Sequence, residues 1–160
     1  FTNDNLLAVG VCMDDMMEEN GCLLAIPGTH KDRILDHHAE GQFAGGVTEP
    51  GFDDSGAKKI EVKAGGISIH HVRVLHGSLP NLSVNPRRLL LFQYCASDAW
   101  PLRGVEWDEY VASHVRGKPT NQPRVTDVPV RIPLPRPKHA GSIYETQSVL
   151  GTSTFGSGTT

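Results

Sequence analysis

A mainly-β fold is what this sequence predicts, and three observations carry it. Glycine and proline number 17 and 11 of 160 residues, about 17.5% of the chain against a usual figure near 12%, which suits short strands joined by turns. Apolar residues fall into short segments, Leu6–Met13, Cys22–Ile26, Ile67–Leu75 and Leu89–Cys95, several of them rich in the β-branched and aliphatic side chains that fit a pleated surface. Helical periodicity shows once, where Trp107, Tyr110, Val111 and His114 stand at i, i+3, i+4 and i+7, one face of a short helix.

Taken in order, Leu6–Met13 and Cys22–Ile26 read as a hairpin. The loop between them is acidic (Asp14, Asp15, Glu18, Glu19) and closes on Asn20-Gly21, a strong turn signal. Pro27-Gly28-Thr29 stops the second strand. Lys31 to Glu49 is polar and aperiodic, broken at Gly41, Gly45 and Gly46, and is expected to run over the surface. Ile60, Val62 and Ala64 alternate with Glu61 and Lys63, Gly65-Gly66 interrupts, and Ile67 to Leu75 is expected to resume as one strand. A loop from Gly77 to Pro86 precedes the strand Leu89–Cys95. Val105–Val115 is the expected helix, with Asp108 and Glu109 near its positive end. Six of the 11 prolines lie between Pro119 and Pro137, so that stretch is expected to be extended or polyproline II. The organisation is therefore a core over residues 1–100 and a short helix with a Pro-rich extension over 101–150, packing on or beside the core. A Gly/Ser/Thr tail over 151–160 is expected to be disordered.

Charge and composition narrow the partners. The net charge is -3 at pH 7 and no Lys/Arg run exceeds two residues, so nothing here neutralises a row of phosphates and no nucleic-acid partner is expected. Apolar runs such as Leu89–Phe92 fall far short of the roughly 20 residues of a bilayer-spanning helix, and no membrane partner is expected. Three cysteines, with no C-x-x-C spacing, make neither a disulfide framework nor a zinc knuckle; a reducing, cytoplasmic setting is the expectation. Phe1 opens directly onto strand-like sequence with no targeting signature, and the chain reads as a portion of a longer one.

Eight histidines direct attention to metal chemistry, since neutral imidazole is the commonest metal ligand. The informative stretch is Ile69-His70-His71-Val72-Arg73-Val74-Leu75-His76-Gly77-Ser78, followed after a loop by Pro86-Arg87-Arg88. A histidine ending one strand and an arginine opening the next can share a cavity, the imidazole taking a metal and the guanidinium a carboxylate in a two-bond fork. By strand parity Arg87 goes with Leu89, Leu91 and Gln93, and Arg88 with Leu90, Phe92 and Tyr94, so one of the two arginines faces inward. His70 and His71 likewise lie on opposite faces.

These residues resemble a family. His76-Gly77-Ser78, Asn81 in the following loop and Arg87 eleven positions after the histidine are similar to the distal-histidine and 2-oxoglutarate-arginine pair of the phytanoyl-CoA dioxygenase family. Upstream, Asp14-Asp15, Glu19-Asn20-Gly21-Cys22-Leu23 and Ile26-Pro27-Gly28-Thr29-His30-Lys31 match the family's characteristic block in order, so the resemblance covers roughly residues 3 to 100. It implies a double-stranded β-helix, or jelly-roll, incomplete at its N-terminus. In that fold Fe(II) is held by two histidines and a carboxylate, 2-oxoglutarate is the cosubstrate and O2 the oxidant. His76 becomes the second histidine, a metal ligand and catalytic residue, and Arg87 with Ser78 the 2-oxoglutarate contacts. The implied activity is hydroxylation of a small or lipid-like molecule with release of succinate and CO2.

The resemblance also implies that the first histidine and the carboxylate form an H-x-D or H-x-E pair ahead of the acidic block, outside this chain. The chain alone then carries one of three iron ligands and is expected to be inactive, with partly uncovered inner sheet faces and an unpaired edge. His30-Lys31-Asp32 and His38-Ala39-Glu40 have the right residue types, but the first belongs to a block without a ligand role in the family and the second to the surface excursion. The acidic loop reads as solvated rather than as a cation site, and Trp107 and Tyr110 as a packing face. Two alternatives stand beside the hydroxylase: a halogenase, in which a small residue replaces the carboxylate ligand, and a jelly-roll binding module without metal chemistry.

Overall fold

Strand β1 (Leu6–Cys12) is the centre of one antiparallel sheet and strand β2 (Leu23–Ala25) the centre of another. The computed structural model from which this architecture is taken describes residues 1–128, 130, 136–137, 141–150 and 155. Six further strands follow in the chain: β3 (His38–Ala39), β4 (Gln42–Phe43), β5 (Lys58–Ile60), β6 (Ile67–His71), β7 (His76–Ser78) and β8 (Leu89–Cys95). The sheet orders are β6-β1-β8 and β5-β2-β7, with β3 and β4 a separate hairpin. From β5 onward successive strands alternate between the two sheets, which is the winding of a jelly-roll.

The predicted strand segments are all found, but their partners correct the sequence reading. β1 and β2 do not form a hairpin; β1 pairs with β6 and β8, and β2 with β5 and β7. The acidic segment carries the chain from one sheet to the other. It closes on a 3-10 turn over Glu18–Asn20, with Gly21 at φ 78. The Asn20 amide accepts from Met17 N at 2.7 Å and donates to the Asp15 carbonyl at 2.6 Å. An Asn-Gly pair signals a reversal; it does not say whether the strands it joins are neighbours. Asp15 and Glu18 are exposed and Asp14 is partly buried, and all three are paired, Asp14 with Arg88, Asp15 with Lys63 and Glu18 with Lys59.

A second correction concerns Ile67 to Leu75. The strand ends at His71, and the chain turns over Val72–Val74 before β7 begins at His76. Val72 and Val74 favour a strand by propensity, but Arg73 overrides it. Its guanidinium bonds Asp4 Oδ2 at 2.8 Å and also the Asp32 carbonyl, and Val74 N closes a tight turn on the His71 carbonyl at 3.0 Å. The corner transfers the chain from the β1 sheet to the β2 sheet.

The surface excursion is less irregular than expected, since β3 and β4 form a small hairpin whose turn sits at Glu40 (φ 52) and Gly41 (φ 77). Among the described residues, β8 has one partner strand, β1, and all seven of its residues are exposed, Leu91 at 69%. Helix α1 (Trp107–Ala112) matches the periodic stretch. Tyr110 packs on Trp100 and Trp107, with ring centroids at 5.1 and 5.4 Å, and its hydroxyl donates to the Ser97 carbonyl at 2.9 Å. These rings form a packing cluster, as the sequence suggested.

Beyond α1 the described part of the Pro-rich stretch lacks helix and strand and crosses the start of the chain through Arg124 N to the Asp98 carbonyl and Thr126 N to the Thr2 carbonyl. A second helix, α2 (Ile143–Gln147), was not anticipated. Its signal is legible in retrospect: Ser142 and Glu145 form a capping box, with Ser142 N donating to Glu145 Oε2 at 2.7 Å and Glu145 N to Ser142 Oγ at 3.4 Å. The tail expected to be disordered lies outside the described residues except for Phe155, which is buried against Gly77 and 5.5 Å from the Phe52 ring.

Candidate functional site

Register assigns the faces. On the β1 sheet, Ala8 is opposite His70 and Gln93, and Gly10 is opposite Ser68 and Leu91. Paired residues of antiparallel strands point to the same side, so Ser68, His70, Leu91 and Gln93 share one face. On the β2 sheet, His76 is opposite Ala25 and Ser78 is opposite Leu23. The ring centroids of His70 and His76 are 4.6 Å apart with planes at 52°, so the two sheets present these faces to each other. The Val72–Val74 corner makes the contact: it folds two residues six apart in sequence onto one another.

His76 has a metal ligand's local arrangement. Its Nδ1 bonds the Val74 carbonyl at 2.7 Å; a carbonyl only accepts, so Nδ1 carries the proton and Nε2 keeps its lone pair. A backbone carbonyl on the second nitrogen is the usual way a liganding histidine is oriented. The residues present therefore fit one ligand position. Among the described residues no group of three His, Cys, Asp or Glu side chains is arranged to hold a metal ion.

Arg87 and Arg88 diverge as parity requires. Arg88 points outward and grips Asp14, Nε to Oδ2 at 2.9 Å and Nη2 to Oδ1 at 2.8 Å, and its backbone N adds a third bond to Oδ2 at 2.8 Å. Those bonds, the side-chain ones first, hold the Asp14 carboxyl at about 2. Arg87 is half-buried and donates from Nη1 to the Gly21 carbonyl, one of five guanidinium N–H groups. Gly21 precedes Ala25, the partner of His76, by four residues, roughly 13 Å of strand. Arg87 and His76 thus stand toward opposite ends of β2.

The other sequence candidates take structural places. Ser78 is exposed on β7 opposite Leu23. Asn81 shapes the loop after β7, accepting from Ser83 N at 2.9 Å and donating to the Asn85 carbonyl at 2.7 Å. His38 Nδ1 bonds Asp36 Oδ1 at 2.6 Å, and the His30 ring lies 5.5 Å from that of His71, which faces away from His76. Neither tripeptide meets His76.

Strand parity put His70 and His71 on opposite faces, one of them lining the barrel and neither a ligand; it did not show that His70 is the inward one, against His76. Both ring nitrogens of His70 are shielded from solvent and have no hydrogen-bond partner. Burial, and secondarily the neighbouring His76, lowers its pKa. Gly10 lets its neighbours close in on this face: a Cβ there would come within 2.9 Å of Ser68 Oγ and 3.1 Å of Leu89 Cδ1.

Two facing antiparallel sheets of alternating strands define the fold class, a double-stranded β-helix. Residues 1–89 match the family described as Phytanoyl-CoA dioxygenase (PhyH), and the chain belongs to that family. It is 35% identical over 156 residues to a protein of Stutzerimonas stutzeri named "Probable alpha-ketoglutarate-dependent hypophosphite dioxygenase", covering 93% of this chain and 54% of that protein. It is 31% identical over 101 residues to the "Phytanoyl-CoA dioxygenase" of Arabidopsis thaliana, covering 61% of this chain and 33% of the other. Among solved structures, SnoN, described as a non-heme alpha ketoglutarate dependent epimerase from nogalamycin biosynthesis, superposes with a TM-score of 0.52 at 25% identity over 79% of this chain and 49% of its own. The chain spans at most about half the length of these relatives. No helix among the described residues is long and apolar enough to cross a membrane.

Proposed function

We propose that this chain supplies the distal-histidine and arginine half of an Fe(II)- and 2-oxoglutarate-dependent oxygenase acting on a small molecule. His76 is the metal ligand, its free Nε2 held in place through Nδ1. Arg87 receives the far carboxylate of 2-oxoglutarate, and Ser78 lines the same side. The observation that carries the reading is the pairing of His76 with Arg87: one oriented imidazole with a free lone pair, and one half-buried guanidinium with donors to spare toward the other end of the same strand. Iron, when bound, supplies the activation of O2 that couples decarboxylation of 2-oxoglutarate to oxidation of the substrate. The protein's own groups bind, orient and shield.

Substrate size is read from the lining and from the relatives. His70, Ser68 and Gln93 share one face of the β1 sheet, which suits a compact polar molecule better than a fatty chain, and the relative matched over 93% of this chain is named for hypophosphite. The relatives' names speak of dioxygenases and of an epimerase, which favours oxidation over halogenation. The test is made on the complete protein with Fe(II) and 2-oxoglutarate, measuring succinate released on admitting O2. Succinate release stimulated several-fold by hypophosphite and not by a fatty acyl-CoA is the expected result. No binding of 2-oxoglutarate by the iron-loaded protein overturns the assignment.

A further inference from the structure

We infer that His70 is a substrate-binding residue: its imidazole donates a hydrogen bond to an oxygen of a small substrate held beside His76. The inference rests on the oxygenase reading and deepens it by naming a residue of this chain that touches the substrate.

The argument begins with an unmet requirement. Nearly every buried polar atom in a folded protein has a hydrogen-bond partner, and each exception needs an explanation. Both nitrogens of His70 are shielded from solvent and unpartnered. A phenylalanine or leucine at this place would meet no such penalty, and the same face of the sheet already carries the apolar side chains of Ala8 and Leu91. A ring that is unfavourable for the empty fold and placed 4.6 Å from the ring of His76 is accounted for by a ligand that completes it. Local rules of stability are broken at functional sites and satisfied elsewhere.

The geometry limits what the ligand is. A neutral imidazole has one N–H donor and one acceptor, so its complement is an oxygen with a lone pair: an oxyanion or a hydroxyl, not an alkyl carbon. His70 meets the substrate from the β1 sheet while His76, in contact with His70, stands on the β2 sheet, so a molecule bonded to His70 lies alongside the His76 ring.

The experiment uses the complete protein loaded with Fe(II) and 2-oxoglutarate under nitrogen, with hypophosphite as the titrated probe, and compares wild type with His70→Phe and His70→Gln. For His70→Phe the expected outcome is a melting temperature equal to or above wild type in the unliganded protein, 2-oxoglutarate affinity within about twofold, and hypophosphite affinity reduced about tenfold or more, the scale of a lost hydrogen bond to a charged group. His70→Gln, which keeps an N–H, recovers part of the loss. Hypophosphite affinity unchanged in His70→Phe overturns the inference, and so does a wild type that binds 2-oxoglutarate but not hypophosphite. A lowered melting temperature with 2-oxoglutarate and hypophosphite weakened together overturns it as well, since that is the mark of a structural residue. If wild type binds no 2-oxoglutarate, the oxygenase reading itself fails, and the inference with it.

Discussion

The two ends of β1 treat polar groups in opposite ways. Past Cys12, every acidic side chain that the turn presents to a neighbouring strand finds a base: Asp14 with Arg88, Asp15 with Lys63, Glu18 with Lys59. Near Leu7, where β6 ends, His70 has no partner for either nitrogen and His76 uses one of two. The first end is complete; the second, with the His70 nitrogens shielded and His76 exposed, is incomplete. Satisfied charges at a surface describe how the chain is held, whereas unsatisfied nitrogens inside it describe what the chain is shaped to receive.

The adjacent arginines offer the strongest way to sharpen that comparison, because both stand at the paired end, Arg87 half-buried against the Gly21 carbonyl and Arg88 exposed on Asp14. In the complete protein, Arg87→Ala leaves the 2-oxoglutarate carboxylate without its fork, at a cost of roughly 2 to 5 kcal/mol, so 2-oxoglutarate affinity falls about 30-fold or more. Arg87→Lys restores part, since an ammonium cannot reproduce a planar fork. Arg88→Ala changes the affinity by less than about threefold. Calorimetric titration of the three iron-loaded variants decides it; equal losses at the two positions would erase the distinction between the half-buried and the exposed arginine.

Gly21 gives a smaller effect at the finished end. Its φ of 78 is left-handed, and a Cβ there would sit 2.3 Å from the Leu79 carbonyl oxygen. Gly21→Ala is expected to cost about 2 kcal/mol or more, read as a melting temperature lower by roughly 4 to 8 °C. An unchanged melting temperature would mean that the turn is not under constraint.

Acid produces the smallest change. The Asp14 carboxyl is held at about 2, below its ordinary 3.8, by Arg88. A lowered folded-state pKa contributes stability that is present above pH 3.8 and lost as pH falls toward 2. The melting temperature of Asp14→Asn is therefore expected to fall less steeply between pH 4 and pH 2 than that of wild type, and the difference should shrink in high salt because the Arg88 side of the pair is exposed. Parallel slopes for the two proteins would show that the ion pair contributes nothing.

Legibility in the sequence follows how local the cause is. β8 runs over Leu89–Cys95 as its apolar run suggested, and Arg87 and Arg88 separate by parity, because alternation is fixed by the backbone itself. Pairing is not local. The hairpin reading of β1 and β2 failed because Asn20-Gly21 reverses the chain equally well within a sheet or between two. The run Ile67–Leu75 was broken by Arg73, whose partners Asp4 and Asp32 are distant in sequence. The same corner made His70 invisible as a neighbour of His76, since six residues of continuous strand would have kept them about 20 Å apart. The Ser142–Glu145 capping box was local and could have been read.

The Arg73 corner also fixes how the two sheets face each other. Its bond to Asp4 is mostly shielded, with side-chain exposures of 23% and 29%, so mobile ions screen it less than they screen the open pairs of the acidic turn. His70 and His76 lie on either side of the turn that this pair holds, so the corner serves the site as a pin serves a jaw, keeping its opening the same whatever ions surround it.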